Sequence, residues 1–201
     1  MLVISNALNE RNQRNWNPPN PSAFTQIEVT AVRDWVSAGG ALFLIADHKP
    51  FAGAAEDLGR AFGIRFLDGA VNRKDGNGRI VFRKLDSTLT DHPITKGIAE
   101  VGTFTGSSFQ METPGQPLLV LGPETYSFAD QNDPRPVPVS GRWQGAVLPF
   151  GKGKVAVFGE AAMFSAQLSG PNREPMGMNA PTAKQNAQFL LNVVHWLTGV
   201  S

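Results

Sequence analysis

The sequence predicts an α/β fold, with helices on both faces of a mostly parallel sheet and a β-rich extension, a three-layer sandwich. Three observations carry that prediction. Residues Ala41–Ala46 are six consecutive apolar positions after a Gly pair, the pattern of a strand buried on both faces of a parallel sheet. Apolar residues recur at helical spacing before and after it, and a second apolar strand, Val155–Phe158, comes far along the chain. Asp47 and His48 fall at the carboxyl end of the first of these strands, where open α/β sheets bind their ligands.

In chain order, Leu2–Ser5 reads as a short core strand and Asn6–Pro21 as a polar, Asn- and Pro-rich loop without regular structure. Either the domain is naturally short or a first strand and helix are missing before Met1. Thr25 and Glu28 have capping-box spacing, and Ile27, Ala31, Val32, Trp35 and Val36 then repeat with a helical period until Gly39. A second helix starts at about Ala52, with Ala55, Leu58, Ala61 and Phe62 on one side and Gly63 as its stop. Ile64–Phe66 is the next strand. From Gly69 to Phe150 the pattern changes to short apolar runs punctuated by turns, among them Ile80–Phe82, Val101–Thr105, Leu118–Leu121 and the Asp133–Pro136 segment. Gly151-Lys-Gly153 joins two strands as a hairpin. Ser169–Pro181 reads as a long binding loop or lid, and the last helix takes Thr182 and Gln185 as its capping box.

Composition narrows the function. With 201 residues and 41% hydrophobic content the chain can bury one core, and residues 1–201 are expected to form a single domain. Formal net charge is +1, from 18 basic and 17 acidic residues that are scattered along the chain. Nucleic acid or a membrane surface would favour a concentrated basic face, so a small-molecule substrate or ligand is the expected partner. The chain has no cysteine, which removes disulfides, thiolate metal ligands and a thiol nucleophile. No leader-like start and no apolar run near the ~20 residues that span a bilayer is present, so a soluble protein is expected, with its compartment left open. If the sheet begins on Leu2–Ser5, its exposed apolar edge predicts pairing of two copies, a homodimer.

Several strings resemble the class I glutamine amidotransferase-like superfamily, a flavodoxin-like fold, more narrowly the bacterial DUF4350-type domains and, at greater distance, ThuA-like proteins. They are Asp34-Trp-Val-Ser-Ala-Gly-Gly-Ala-Leu-Phe-Leu-Ile-Ala-Asp-His48, Asp91-His-Pro-Ile-Thr-Lys-Gly97, Gly153-Lys-Val-Ala-Val-Phe-Gly-Glu160 and Asn192-Val-Val-His-Trp-Leu197. In amidotransferases the corner after the Gly-Gly-led strand carries the nucleophilic Cys. Here that corner holds Asp47-His48, so the resemblance implies a fold and a site location but not glutamine hydrolysis.

The candidate catalytic residues are His48, Glu160, Asp47 and Ser108. His48 can act as a base at a cleft or merely satisfy its turn. Asp47 can belong to the site or cap the following helix. Glu160 can be a general base, a metal ligand beside His48, or an acceptor of backbone N–H bonds that holds the turn after it. Ser108 is the nucleophile of a serine-dependent version, although Phe104-Thr-Gly-Ser-Ser-Phe109 lacks the strand–Gly-x-Ser-x-Gly–helix pattern and also reads as a strand-end turn. Lys49, Gln167, Met176 and Asn179 are the candidates for substrate contact. His92 and His195 read as structural. No cofactor is prescribed, and a divalent metal is the alternative to none. The leading expectation is a hydrolase-like enzyme acting on a small ester, amide or sugar-derived substrate; the alternative is a non-catalytic carbohydrate- or protein-binding domain.

Overall fold

Strands joined by nothing longer than a turn cannot run parallel, because a parallel partner requires a crossover of a dozen or more residues. That rule shapes everything after Ile64. The computed structural model describes residues 1–128 and 135–200; Asp133 and Pro134 of the expected turn lie outside them. In order the elements are β1 (Leu2–Ser5), α1 (Gln26–Ser37), β2 (Ala41–Ile45), α2 (Phe51–Ala54), α3 (Glu56–Arg60), β3 (Ile64–Leu67), β4 (Ala70–Arg73), β5 (Arg79–Arg83), β6 (Glu100–Phe104), β7 (Ser108–Met111), β8 (Gln116–Val120), β9 (Thr125–Phe128), β10 (Val137–Pro138), β11 (Trp143–Phe150), β12 (Gly153–Phe158), β13 (Ala166–Ser169), β14 (Glu174–Gly177) and α4 (Asn186–Thr198).

The main sheet runs β1-β2-β12-β11-β7-β3, with β8 also on β11. Only β1, β2 and β12 are parallel; every other pairing is antiparallel. The expected flavodoxin-like, mostly parallel sandwich is therefore corrected to a mixed α/β fold with a curled, mostly antiparallel and strand-rich sheet. At 24% helix the chain has too few helices to cover both faces. Strands do part of that work: Val71 of β4, Ile80 and Phe82 of β5 and Val101 of β6 share one core with Phe43, Phe158 and the α4 residues Phe189, Val193 and Leu197. The opposite face packs Leu42, Leu44, Val155 and Val157 against Val29 and Val36 of α1 and Leu58 and Phe62 near α3. Each fully buried side chain of this kind contributes about 1.5–3 kcal/mol.

The parallel trio forms because α1 carries the chain from β1 back to β2, and the β11–β12 hairpin then lays β12 on the other side of β2. Thr25 caps α1 with both bonds of the capping box. Four local expectations change. The second helix is broken at Ala55 into α2 and α3. The polar loop after β1 contains one 3-10 turn, Glu10–Asn12. The long loop at Ser169–Pro181 is largely a hairpin, with β13 and β14 paired from Ala166↔Gly177 to Ser169↔Glu174. Gln185 makes no side-chain cap on α4; its amide oxygen accepts instead from the backbone N–H of Ala99 and Glu100, tying the helix start to β6. Among the described residues no helix is long and apolar enough to cross a membrane.

Candidate functional site

Strand register brings the two acidic candidates together. Ile45 lies opposite Phe158 in the parallel β2–β12 ladder, so Ala46-Asp47 and Gly159-Glu160 leave the sheet side by side. The ladder extends one step further through the Ala46 N–H, which donates to Phe158 O at 2.9 Å. Asn6, one residue past β1 and in the left-handed region at φ 52°, accepts on Oδ1 from the Asp47 N–H at 3.0 Å. Three neighbouring strand ends thus converge on Asp47.

Asp47 is 7% exposed. Its Oδ1 accepts from the His48 N–H at 2.6 Å and its Oδ2 from the Ala161 N–H at 3.1 Å. The carboxylate therefore clasps the two turns to each other rather than capping α2. Burial pushes its pKa up, and the His48 charge and these N–H donors oppose that shift.

Glu160 is 0% exposed. Its Oε1 accepts from Ala162 N–H and its Oε2 from Met163 N–H, both at 2.7 Å. These are the first free donors of the 3-10 turn Ala162–Phe164, so the side chain closes the turn that follows it. Gly106 packs on its other side, where any Cβ would run into the Gly159 carbonyl and the Glu160 side chain. Burial first and the neighbouring Asp47 charge second hold this acid well above the ordinary range.

His48 has a different setting. Its ring is half-buried and stands 5.8 Å from the Trp16 ring and 5.9 Å from Phe51, while Trp16 and Phe51 meet edge-on at 5.6 Å. Trp16 is 47% exposed. Nδ1 lies 2.7 Å from Lys49 O; a carbonyl can only accept, so Nδ1 carries the proton and Nε2 of the neutral ring is an acceptor. Beneath this corner, Asp68 accepts from Gly53 N–H and Asn20 Nδ2, and Asn20 accepts from Asn12 Nδ2, which fixes the polar loop over α2.

The other predicted residues divide into those near this edge and those away from it. Ser108 is buried on β7 opposite Leu67, and its Oγ has no hydrogen-bond partner. Its neighbour Ser107 is the serine that reaches the strand ends, donating to Ala46 O at 2.7 Å. Lys49 donates its backbone N–H to Gly69 O at 3.0 Å. Gln167 pairs with Met176 across β13–β14, and Asn179 Nδ2 donates to Gln167 O at 3.1 Å, so these three gather on one hairpin. Gln167 also lines a groove of ≈ 440 Å³ together with Ala161, Ser5 and Ile45. His92 accepts from Ile94 N–H as the cap of a 3-10 turn, and His195 is exposed near the end of α4. Among the described residues no group of three or more His, Cys, Asp or Glu side chains could hold a metal ion. Trp16, Phe51 and Asn6 escaped the sequence reading. An isolated aromatic inside an Asn- and Pro-rich loop was the available signal for Trp16.

No family model matches the chain, and no curated protein does. Solved structures resemble it, and the first two below share its fold. The mmIFT52 N-terminal domain superposes with a TM-score of 0.60 at 18% identity, over 87% of this chain and 72% of that one. A cytoplasmic protein of Salmonella typhimurium LT2, STM1381, gives 0.56 at 18% identity, over 97% and 70%. A ThuA-like protein from Bacteroides uniformis gives 0.48 at 15% identity, over 90% and 68%.

Proposed function

We propose that the chain is a non-catalytic binding domain that takes a carbohydrate at the Trp16–His48–Phe51 corner. One observation carries this reading: at the strand ends the acidic groups are buried and occupied by backbone N–H donors, whereas the surface they leave is aromatic. A pyranose offers apolar C–H faces that stack on an indole, and hydroxyls that need a few fixed polar partners. Trp16 supplies the exposed face and His48 Nε2 an acceptor. We also read the chain as a Cys-less relative of the DUF4350-type domains, on the strings quoted above.

A hydrolase-like reading has one observation in its favour, the acceptor Nε2 of His48 beside the Asp47 charge. Titration calorimetry with neutral mono- and oligosaccharides separates the two. The expected outcome is binding without turnover, weakened at least tenfold by Trp16→Ala and by His48→Ala, each variant retaining its melting temperature within a degree or two. Sugar binding unchanged by Trp16→Ala would sink the corner as the site. Turnover of an ester, amide or glycoside that disappears in His48→Ala would replace binding by hydrolysis.

A further inference from the structure

A cleft separate from the strand-end corner is lined by an arginine, Arg142, that forms no ion pair among the described residues. β7 and β11 share a single ladder pair, Trp143 opposite Phe109, and a cleft of ≈ 700 Å³ lies beside it, lined by Arg142, Trp143, Leu67, Met111, Gln110 and Arg65 among others. The Arg142 backbone is pinned at the start of β11: its N–H donates to Val139 O at 3.0 Å and its carbonyl accepts from Leu121 N–H at 2.9 Å. The side chain is therefore presented from a fixed point. Its Nε is buried with no hydrogen-bond partner among the described residues. Burial alone pushes the guanidinium pKa down, with no carboxylate opposing the shift. Arg65 at the rim is already paired with Glu112 at 3.0 Å and Glu56 at 3.3 Å.

A buried donor left unpaired in the free protein is unfavourable, and such a group calls for an explanation. We propose that this cleft binds the carboxylate of a small amphipathic acid on the Arg142 guanidinium. The planar fork of arginine matches a carboxylate with two parallel N–H···O bonds. Half-buried Trp143, Leu67 and Met111 offer an apolar wall to the rest of the molecule. One unpaired cation beside apolar walls suits a monoanion with a flat or aliphatic body better than a phosphate dianion, which would need further free cations.

The test is a nuclear magnetic resonance titration of the full chain with benzoate, with benzamide and inorganic phosphate as controls. Saturable shifts of the backbone amides of 65–67, 109–111 and 141–143 are expected with benzoate and not with benzamide. Arg142→Ala should weaken benzoate at least tenfold, and Arg142→Lys should weaken it too, since a point charge lacks the fork. Both variants should keep the wild-type spectrum elsewhere, and Arg142→Ala should melt no lower than wild type, because it removes an unpaired group. Equal binding of benzamide, saturation by phosphate at these amides without benzoate binding, or a benzoate response untouched by Arg142→Ala would each overturn the proposal. So would a large loss of stability in ligand-free Arg142→Ala, which would show that the guanidinium already has a partner within the chain.

Discussion

The turns after β2 and β12 begin from matched positions in one parallel ladder and end in opposite roles. Each follows a run of buried apolar residues, Leu42–Ile45 in β2 and Val155–Phe158 in β12, and each places a carboxylate just past its end. After β12 the chain bends at once into the 3-10 turn Ala162–Phe164, so two free N–H groups point back at Glu160 and seal it at 0% exposure. After β2 the chain runs through His48-Lys49-Pro50 before α2 begins, and the imidazole emerges among Trp16 and Phe51. A titratable residue at a strand end becomes available for a ligand only when the next turn does not consume it. Exposure, set by the three residues that follow, separates an acid consumed by its own turn from an imidazole left open to solvent.

The largest expected effect comes from breaking the closed turn. Glu160→Ala leaves the Ala162 and Met163 N–H groups buried without acceptors, at a cost of about 2–5 kcal/mol, read as a shift in the urea unfolding midpoint. His48→Ala should change that midpoint little, because the ring is half-buried and bonds only its neighbour's carbonyl. Similar losses from both substitutions would erase the distinction between the two turns.

The sequence showed where the strand ends lie and left their geometry open. Six apolar residues at Ala41–Ala46 locate β2 because burial on both faces demands such a run, and the hairpin at Gly151-Lys-Gly153 was legible from its turn chemistry. The turn-linked runs after Gly69 marked a β-rich region, but the sheet was expected to be mostly parallel and is mostly antiparallel, because which run pairs with which is a long-range choice that spacing does not encode. Ser107 and Ser108 show the same limit at the site. They are adjacent in sequence and point to opposite sides of a strand start, so one reaches Ala46 O and the other is buried with its hydroxyl unbonded. The Gln185 expectation failed because a side chain able to cap its own helix found the β6 backbone instead.

A pH titration of stability sharpens the comparison next. Burial and the Asp47 charge raise the Glu160 acid well above its ordinary 4.5 in the folded chain. Between the unfolded and folded values the native state holds the extra proton, so stability is full below the unfolded value and falls as pH rises through the folded one, by at most about 1.4 kcal/mol per pH unit for one proton. Melting temperatures should decline on that limb in the wild type. Glu160→Gln should flatten it, while lowering stability by about 1–3 kcal/mol because its amide N–H₂ faces a backbone donor. A limb of undiminished size in Glu160→Gln would assign the titration to another group, Asp47 with its own burial-raised value first.

The smallest effect tests whether the two turns are independent. Asp47 belongs to the His48 corner by sequence and to the Glu160 turn by contact, since its two oxygens accept from His48 and Ala161. Asp47→Asn keeps an oxygen for the His48 N–H and turns its amide toward the Ala161 N–H, a loss of about 1 kcal/mol. It also removes the negative charge that helps to keep Glu160 protonated. The folded value of Glu160 then drops toward its unfolded value, so the decline in stability should end at a lower pH and total less than in the wild type. Sugar affinity at Trp16 should change less than it does in His48→Ala, because Asp47 holds the corner's backbone and presents no exposed oxygen to it. If the stability limb keeps its wild-type end point in Asp47→Asn, the two carboxylates do not sense each other, and the effect of the Asp47 charge on Glu160 has to be abandoned while the closed turn at Glu160 stands.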